Sequence, residues 1–265
     1  CWQRGQANFG IETPGGDRAL SQAPHTPLRL GASEWGLILL QSMLWGSSYF
    51  FVAMVQGELP VLTITALRTL PALATLLLVV VVFLGYRLPA EWRQWRLFIS
   101  LSAVNTFIPH LLIVWGQSRG ATGGMAAILN ATAPVFGILL AHLLTQDEKL
   151  SVHKLAGSLV GFAGVVILVG YDLASGTGMD VPGRLALLAA PLCYVLANIF
   201  ARTKLNDHPP FVIALMQVMG AMILSVPLAL VVDRPWNNPL PSWSALGAIA
   251  GMGISNFIAL AIMIT

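Results

Sequence analysis

Arg68 is the residue around which this sequence's chemistry gathers, a lone charge about eight residues into the apolar run Val61–Leu84. A charged side chain at the centre of a bilayer costs roughly 2.5–3.5 kcal/mol on insertion scales. Such a residue has two uses. It can line a cavity and hold an anionic or zwitterionic molecule, or it can snorkel to the interface or pair with a carbonyl freed at Pro71. His110 is the clear mid-run histidine, with an ordinary pKa of about 6.5 that suits proton coupling. No Asp or Glu lies inside any apolar run to relay a proton to it, so a hydrogen-bonded interior imidazole is the competing role. Asn105 and Asn256 are amides in related surroundings, and Asn130 and Asn198 also lie within apolar runs. Amides hold polar substrates and equally tie helices together. Trp45, Tyr49 and Tyr194 are candidates to line the same cavity, with packing as their alternative. The chain has no phosphate-binding glycine loop, HExxH or serine elbow, the usual signatures of soluble enzymes. Cys1 and Cys193 form neither a disulfide framework nor a ligand cluster, and no residue pattern calls for a metal or a cofactor.

The elements that position these residues must be membrane helices. Of 265 residues, 56% are hydrophobic and 9% charged, with mean hydropathy +0.76, whereas soluble domains carry about a quarter charged residues. In lipid only helices or closed barrels satisfy the backbone internally. Barrel strands alternate apolar and polar residues, whereas Leu76–Leu84 is apolar throughout. Eight runs approach the roughly 20 residues that a span needs: Trp35–Val55, Val61–Leu84, Leu97–Trp115, Ala121–Leu144, Leu155–Tyr171, Leu185–Ala201, Phe211–Val232 and Ala245–Thr265. The fifth and sixth are the shortest. Residues 1–33 are polar, rich in Gly, Pro and Gln, and read as a disordered tail. The chain opens on Cys1, which suggests an incomplete reading frame or a processed lipoprotein cysteine.

With the N-terminus inside, ten basic residues fall on the cytoplasmic side and three, Arg119, Arg184 and Arg234, on the other. The positive-inside rule therefore predicts a cytoplasmic N-terminus. The net charge of +3 gives no reason to expect nucleic acid.

The chain also repeats itself. Setting Pro60 against Pro209 aligns Arg68 with Gln217, Pro71 with Gly220 and Ala72 with Ala221. A shift of one or two residues then pairs Trp92 with Trp243 and Asn105–Ile108 with Ser255–Ile258. Spans one to three thus correspond to six to eight. Five helices separate the copies, so they cross the membrane in opposite senses, an architecture of transporters with midplane substrate sites.

Several segments resemble the EamA-type exporters of the drug/metabolite transporter superfamily. They are Leu44–Phe51 (LWGSSYFF), Thr65–Ala72 (TALRTLPA), Ala131–Ala141 (ATAPVFGILLA), the turn Asp147–Ser151 (DEKLS) and Leu155–Gly170 (LAGSLVGFAGVVILVG). The resemblance implies an all-α, inverted-repeat bundle with two five-helix halves, residues 34–172 forming the first and 181–265 part of the second. The partners of spans four and five are missing, so a fragment is expected, or a chain completed by a second copy. It also implies secondary transport, by alternating access, of small metabolites such as amino acids out of the cell across a bacterial-type inner membrane. The expected partners are lipid, a small-molecule substrate and a homodimer mate. A membrane-embedded enzyme and a non-transporting scaffold are the alternatives; an enzyme would need catalytic groups clustered at one face, which the sequence lacks. Pro71 and Pro134 are read as helix kinks. Gly157, Gly161 and Gly164 have the small-xxx-small spacing of a packing helix, and Glu148 and Lys149 read as a solvated turn.

Overall fold

The computed structural model describes residues 31–86, 88–89, 91–144, 152–175, 180–205 and 208–264. It is helical, with no strand among the described residues. The helices are α1 (Ala32–Val55), α2 (Val61–Leu76), α3 (Trp92–Ser102), α4 (Ile108–Ser118), α5 (Gly123–Asn130), α6 (Ala133–Leu144), α7 (Val152–Ser175), α8 (Val181–Lys204), α9 (Pro210–Leu228) and α10 (Trp243–Ile264). Leu39–Thr265 is one compact unit, and the first turns of α1 up to Ile38 belong to a separate one.

Six stretches among the described residues are long and apolar enough to cross a membrane: Ala32–Val55, Val61–Phe83, Trp92–Ser118, Gly123–Leu140, Val181–Lys204 and Phe211–Asn237. Ala156–Ile167 and Trp243–Ser255 are shorter apolar helical stretches at the fifth and eighth expected positions. All eight expected runs are therefore helical, with changed limits. The sixth, expected to be short, is a 24-residue helix, because Asp180 caps it early and accepts from the Gly183 N–H at 2.8 Å. The first begins at Ala32, within the stretch read as tail; residues 1–30 lie outside the described ones, as does the turn bearing Glu148 and Lys149.

Three helices widen locally into π turns: Leu77–Phe83 continues α2, Ala103–Phe107 joins α3 to α4, and Ala229–Asp233 continues α9. The middle one has a clear cause. Pro109 has no N–H to give the carbonyl of Asn105, and its ring crowds that carbonyl. The chain answers with a wider turn in which the Ile108 N–H reaches back to Ala103, a device that recurs at functional sites. The fourth span, expected to kink at Pro134, goes further and divides into α5 and α6. Pro134 cannot donate to Asn130, so α5 ends there and two turn residues precede α6, with the Thr132 hydroxyl donating to the Leu129 carbonyl at 2.7 Å.

The packing follows the repeat. α2 lies against α9, and each also meets the third span of the opposite half: α2 packs on α10, and α9 on α3. The closest approaches are correspondingly matched. A Cβ on Gly220 would meet the Ser102 Cβ at 2.7 Å, and one on Gly253 would meet the Pro71 Cβ at 2.9 Å. Gly220 is the repeat partner of Pro71, and Gly253 aligns with Ser102 at the spacing that pairs Trp92 with Trp243. These are one contact, made twice.

Candidate functional site

α1 is apolar on nearly every side, yet Ser48 and Val52 form part of a buried stripe along it. Ser48 is 5% exposed, and it receives a hydrogen bond from Arg68 Nη2 at 3.0 Å. Arg68 therefore reaches inward from α2 to α1. Tyr49, Tyr194 and His110 are all close enough to the guanidinium to interact with it electrostatically. Three further helices thus bring side chains to Arg68: α1 supplies Ser48 and Tyr49, α4 His110, and α8 Tyr194. His110 Nδ1 is buried and has no hydrogen-bond partner among the described residues. Tyr49 and Tyr194 pack against one apolar cluster that includes Ile113, Leu129 and Leu187, which fixes their rings beside the charge.

A second polar pair sits on the other helix of the crossing. Asn105 Nδ2 donates to Gln217 Oε1 at 2.6 Å, joining the π turn before α4 to α9. Gln217 is the repeat partner of Arg68. The two related positions on α2 and α9 therefore both carry polar side chains inside the bundle, one cationic and one neutral.

The other expected residues are placed differently. Trp45 is 60% exposed. Asn198 is exposed on α8, and Asn130, at the end of α5, has a buried Oδ1 without a partner among the described residues. Asn256 lies in α10, with its side chain outside the described residues. Of the glycine series, Gly161 faces Val135, whose Cγ2 would lie 3.2 Å from an added Cβ; Gly157 and Gly164 face open space. Ser48, Gln117 and Gln217 are contributors that residue-by-residue reading did not single out. Gln117 donates to the Tyr49 carbonyl at 3.0 Å, bracing α1 on α4. Their signal was present, since glutamines and small hydroxyls are rare polar groups within apolar runs. A cavity of about 340 Å³ between α6, α7 and α8 lies apart from the Arg68 group. It is lined by Thr132, Val135, Phe136, Phe162 and Leu188 among others, and is almost wholly apolar.

Several proteins are similar to this chain. An uncharacterized transporter of Archaeoglobus fulgidus is 22% identical over 196 residues, covering 74% of this chain and 66% of that protein. The protein PagO of Salmonella typhimurium is 26% identical, covering 84% and 75%. The uncharacterized inner membrane transporter YedA of Escherichia coli is 23% identical, covering 66% and 65%. The chain thus spans just under two thirds of the Archaeoglobus and Escherichia proteins. A protein of known crystal structure shares the fold at 22% identity, with TM-score 0.56 over 84% of this chain and 79% of its own. Residues 34–170, just over half the chain, match the pattern of the EamA-like transporter family. With a multi-pass apolar helical bundle behind that match, this chain belongs to the EamA-like transporter family.

Proposed function

We propose that the chain is the larger part of a secondary transporter that moves small polar metabolites, such as amino acids, out of the cell by alternating access. The observation that carries this reading is the Arg68–Ser48 hydrogen bond at 3.0 Å, with Tyr49, Tyr194 and His110 around it. A guanidinium held inward from α2 suits a carboxylate, and the hydroxyls and imidazole beside it supply further hydrogen-bonding groups. The site lies where helices of both halves meet, as midplane sites of inverted-repeat transporters do. In this reading residues 34–172 and 181–265 are the two repeats, and Asn105 and Asn256 contribute amides to the path. No nucleotide-binding pattern is present in the chain, so movement follows the substrate gradient or a coupled ion. His110 is the candidate for proton coupling.

The distribution of basic residues supports a cytoplasmic N-terminus, and the name of the Escherichia coli relative, an inner membrane transporter, supports a bacterial-type inner membrane. A homodimer, if formed, would use the open side of α7 that carries Gly157 and Gly164. The test is flux of a labelled amino-acid panel in proteoliposomes of the full-length protein. Wild type is expected to carry at least one member, and Arg68→Lys to lose most of that flux while accumulating normally. Full transport by Arg68→Lys would remove the guanidinium from recognition. Flux with unchanged pH dependence in His110→Gln would remove His110 from coupling.

A further inference from the structure

One face of the bundle is held together by polar side chains that reach from helix to helix. At the face where α1 ends, three polar ties cross from one half to the other, and each uses a carboxylate. Thr63 gives its N–H and its hydroxyl to Asp233 Oδ2 at 2.7 and 2.9 Å. Ser242 likewise gives its N–H and its hydroxyl to the two oxygens of Glu58, both at 2.7 Å. Arg119, at the end of α4, forms an ion pair with Asp180, which caps α8. In each case the carboxylate sits at a helix start, where free N–H groups and the helix dipole favour negative charge. Asp233 caps α2 from the opposite half, and Glu58 holds the serine whose hydroxyl in turn accepts from the Ala245 N–H at 3.2 Å in the first turn of α10.

The other face is built on apolar packing. There α2, α3, α8 and α9 close over a buried apolar cluster that includes Leu76, Phe98, Leu205, Val212 and Met216. His208 stands edge-on to Phe98, with ring centroids 5.3 Å apart. The repeat makes the contrast sharp. At the 149-residue spacing that sets Pro60 against Pro209, Thr63 corresponds to Val212 and Asp233 to Leu84. The two related positions thus carry a hydrogen-bonding threonine and aspartate at one face and two aliphatic residues at the other. Symmetry of the fold therefore does not require a carboxylate at the position of Asp233.

We infer that Glu58, Asp180 and Asp233 form a polar latch that holds the two halves together at the face where α1 ends, and that its release opens the Arg68 site to that side. This rests on the transport reading above for its purpose, but the latch itself is a statement about accessibility. The ties suit a device that must open repeatedly. The Glu58–Ser242 tie is exposed, the Arg119 and Asp180 side chains are 46% and 34% exposed, and solvent-facing polar ties of this kind are individually weak. Beneath them a layer of fully buried residues, including Val52, Val55, Ile64 and Met252, stands between the latch and Ser48. Opening must expose that layer.

The test uses full-length protein reconstituted in vesicles of both orientations, with Cys1→Ser and Cys193→Ser as background and Val52→Cys as reporter. A membrane-impermeant maleimide is applied from outside, and monodispersity on size exclusion checks folding. Neutralising the latch with Glu58→Gln and Asp233→Asn is expected to raise the labelling rate about fivefold to tenfold, as loss of charge-assisted hydrogen bonds shifts the population toward the open form. The rise should occur from one side only. Thr63→Val, which removes one hydrogen bond and no charge, is expected to give a smaller rise in the same direction and serves if the double variant does not fold. An unchanged rate in both, or an equal rise from both sides, would overturn the latch. A one-sided rise from the cytoplasmic side would keep the latch and reverse the proposed topology. Labelling needs no substrate, so a rise without measurable flux in any vesicle would sink the transport reading and leave the latch standing.

Discussion

Thr63 offers both its backbone N–H and its hydroxyl to a single oxygen of Asp233, 170 residues away in the chain. A helix start on one half is thereby finished by a side chain of the other. Removal of such a cap costs about 0.5–2 kcal/mol. Asp233→Ala is therefore expected to lower the thermal unfolding midpoint of the detergent-solubilised protein. Asp233→Asn, which keeps an acceptor oxygen, should lose less. Equal losses in the two variants would assign the effect to charge and not to capping.

The paired contacts Gly220–Ser102 and Gly253–Pro71 leave no room for a side chain. Overpacking of this kind costs roughly 1–3 kcal/mol. Gly220→Val and Gly253→Val are each expected to cut accumulation of folded protein strongly. Gly164→Ala faces open space and should be neutral or stabilising by up to about 1 kcal/mol, since alanine favours the helix over glycine. Expression-level fluorescence size exclusion distinguishes these outcomes.

The Asn105–Gln217 hydrogen bond predicts a coupled pair. Asn105→Leu and Gln217→Leu should each destabilise, and the double variant should cost less than the sum, by about 0.5–1.5 kcal/mol. Strict additivity in a double-mutant cycle would mean that the two amides do not depend on each other.

At the latch, sign decides the pH response. Hydrogen bonds from the Ser242 N–H and hydroxyl lower the Glu58 pKa from its ordinary 4.5. The Arg119 hydrogen bond, followed by the Gly183 N–H and the charges of Arg119 and Arg184, lowers Asp180 from 3.8. Carboxylates with depressed folded pKa values contribute fully above their ordinary pKa and lose that contribution as pH falls through the depressed one. Labelling of the Val52→Cys reporter is therefore expected to stay flat between about pH 5 and 8 and to rise only under stronger acid. A rise near neutral pH would place control in another group.

Much of this could be read from residue order. Lipid forces continuous apolar helices, so the eight helical runs and the pairing of α2 with α9 followed from composition and spacing. Limits set by single side chains were harder to see. Asp180 extends α8 by capping it, and Pro134 splits the fourth span because Asn130 loses a backbone partner. Tertiary polar ties were least legible. Nothing local marks Ser48 as the acceptor for Arg68 or Gln217 as the partner of Asn105, because each needs two helices placed first. Trp45 shows the converse: an aromatic side chain within a span carries no label for its direction, and this one is 60% exposed.

The cap that Asp233 places on α2 also bears on how the chain is made. At translation rates of about 5–20 residues per second, the 170 residues between Thr63 and Asp233 take roughly 10–30 s to emerge. Throughout that interval α2 sits in the bilayer with its leading turn unfinished, and only arrival of the seventh span completes it. The first half is thus inserted early but matures late, and its final shape waits on its inverted sibling.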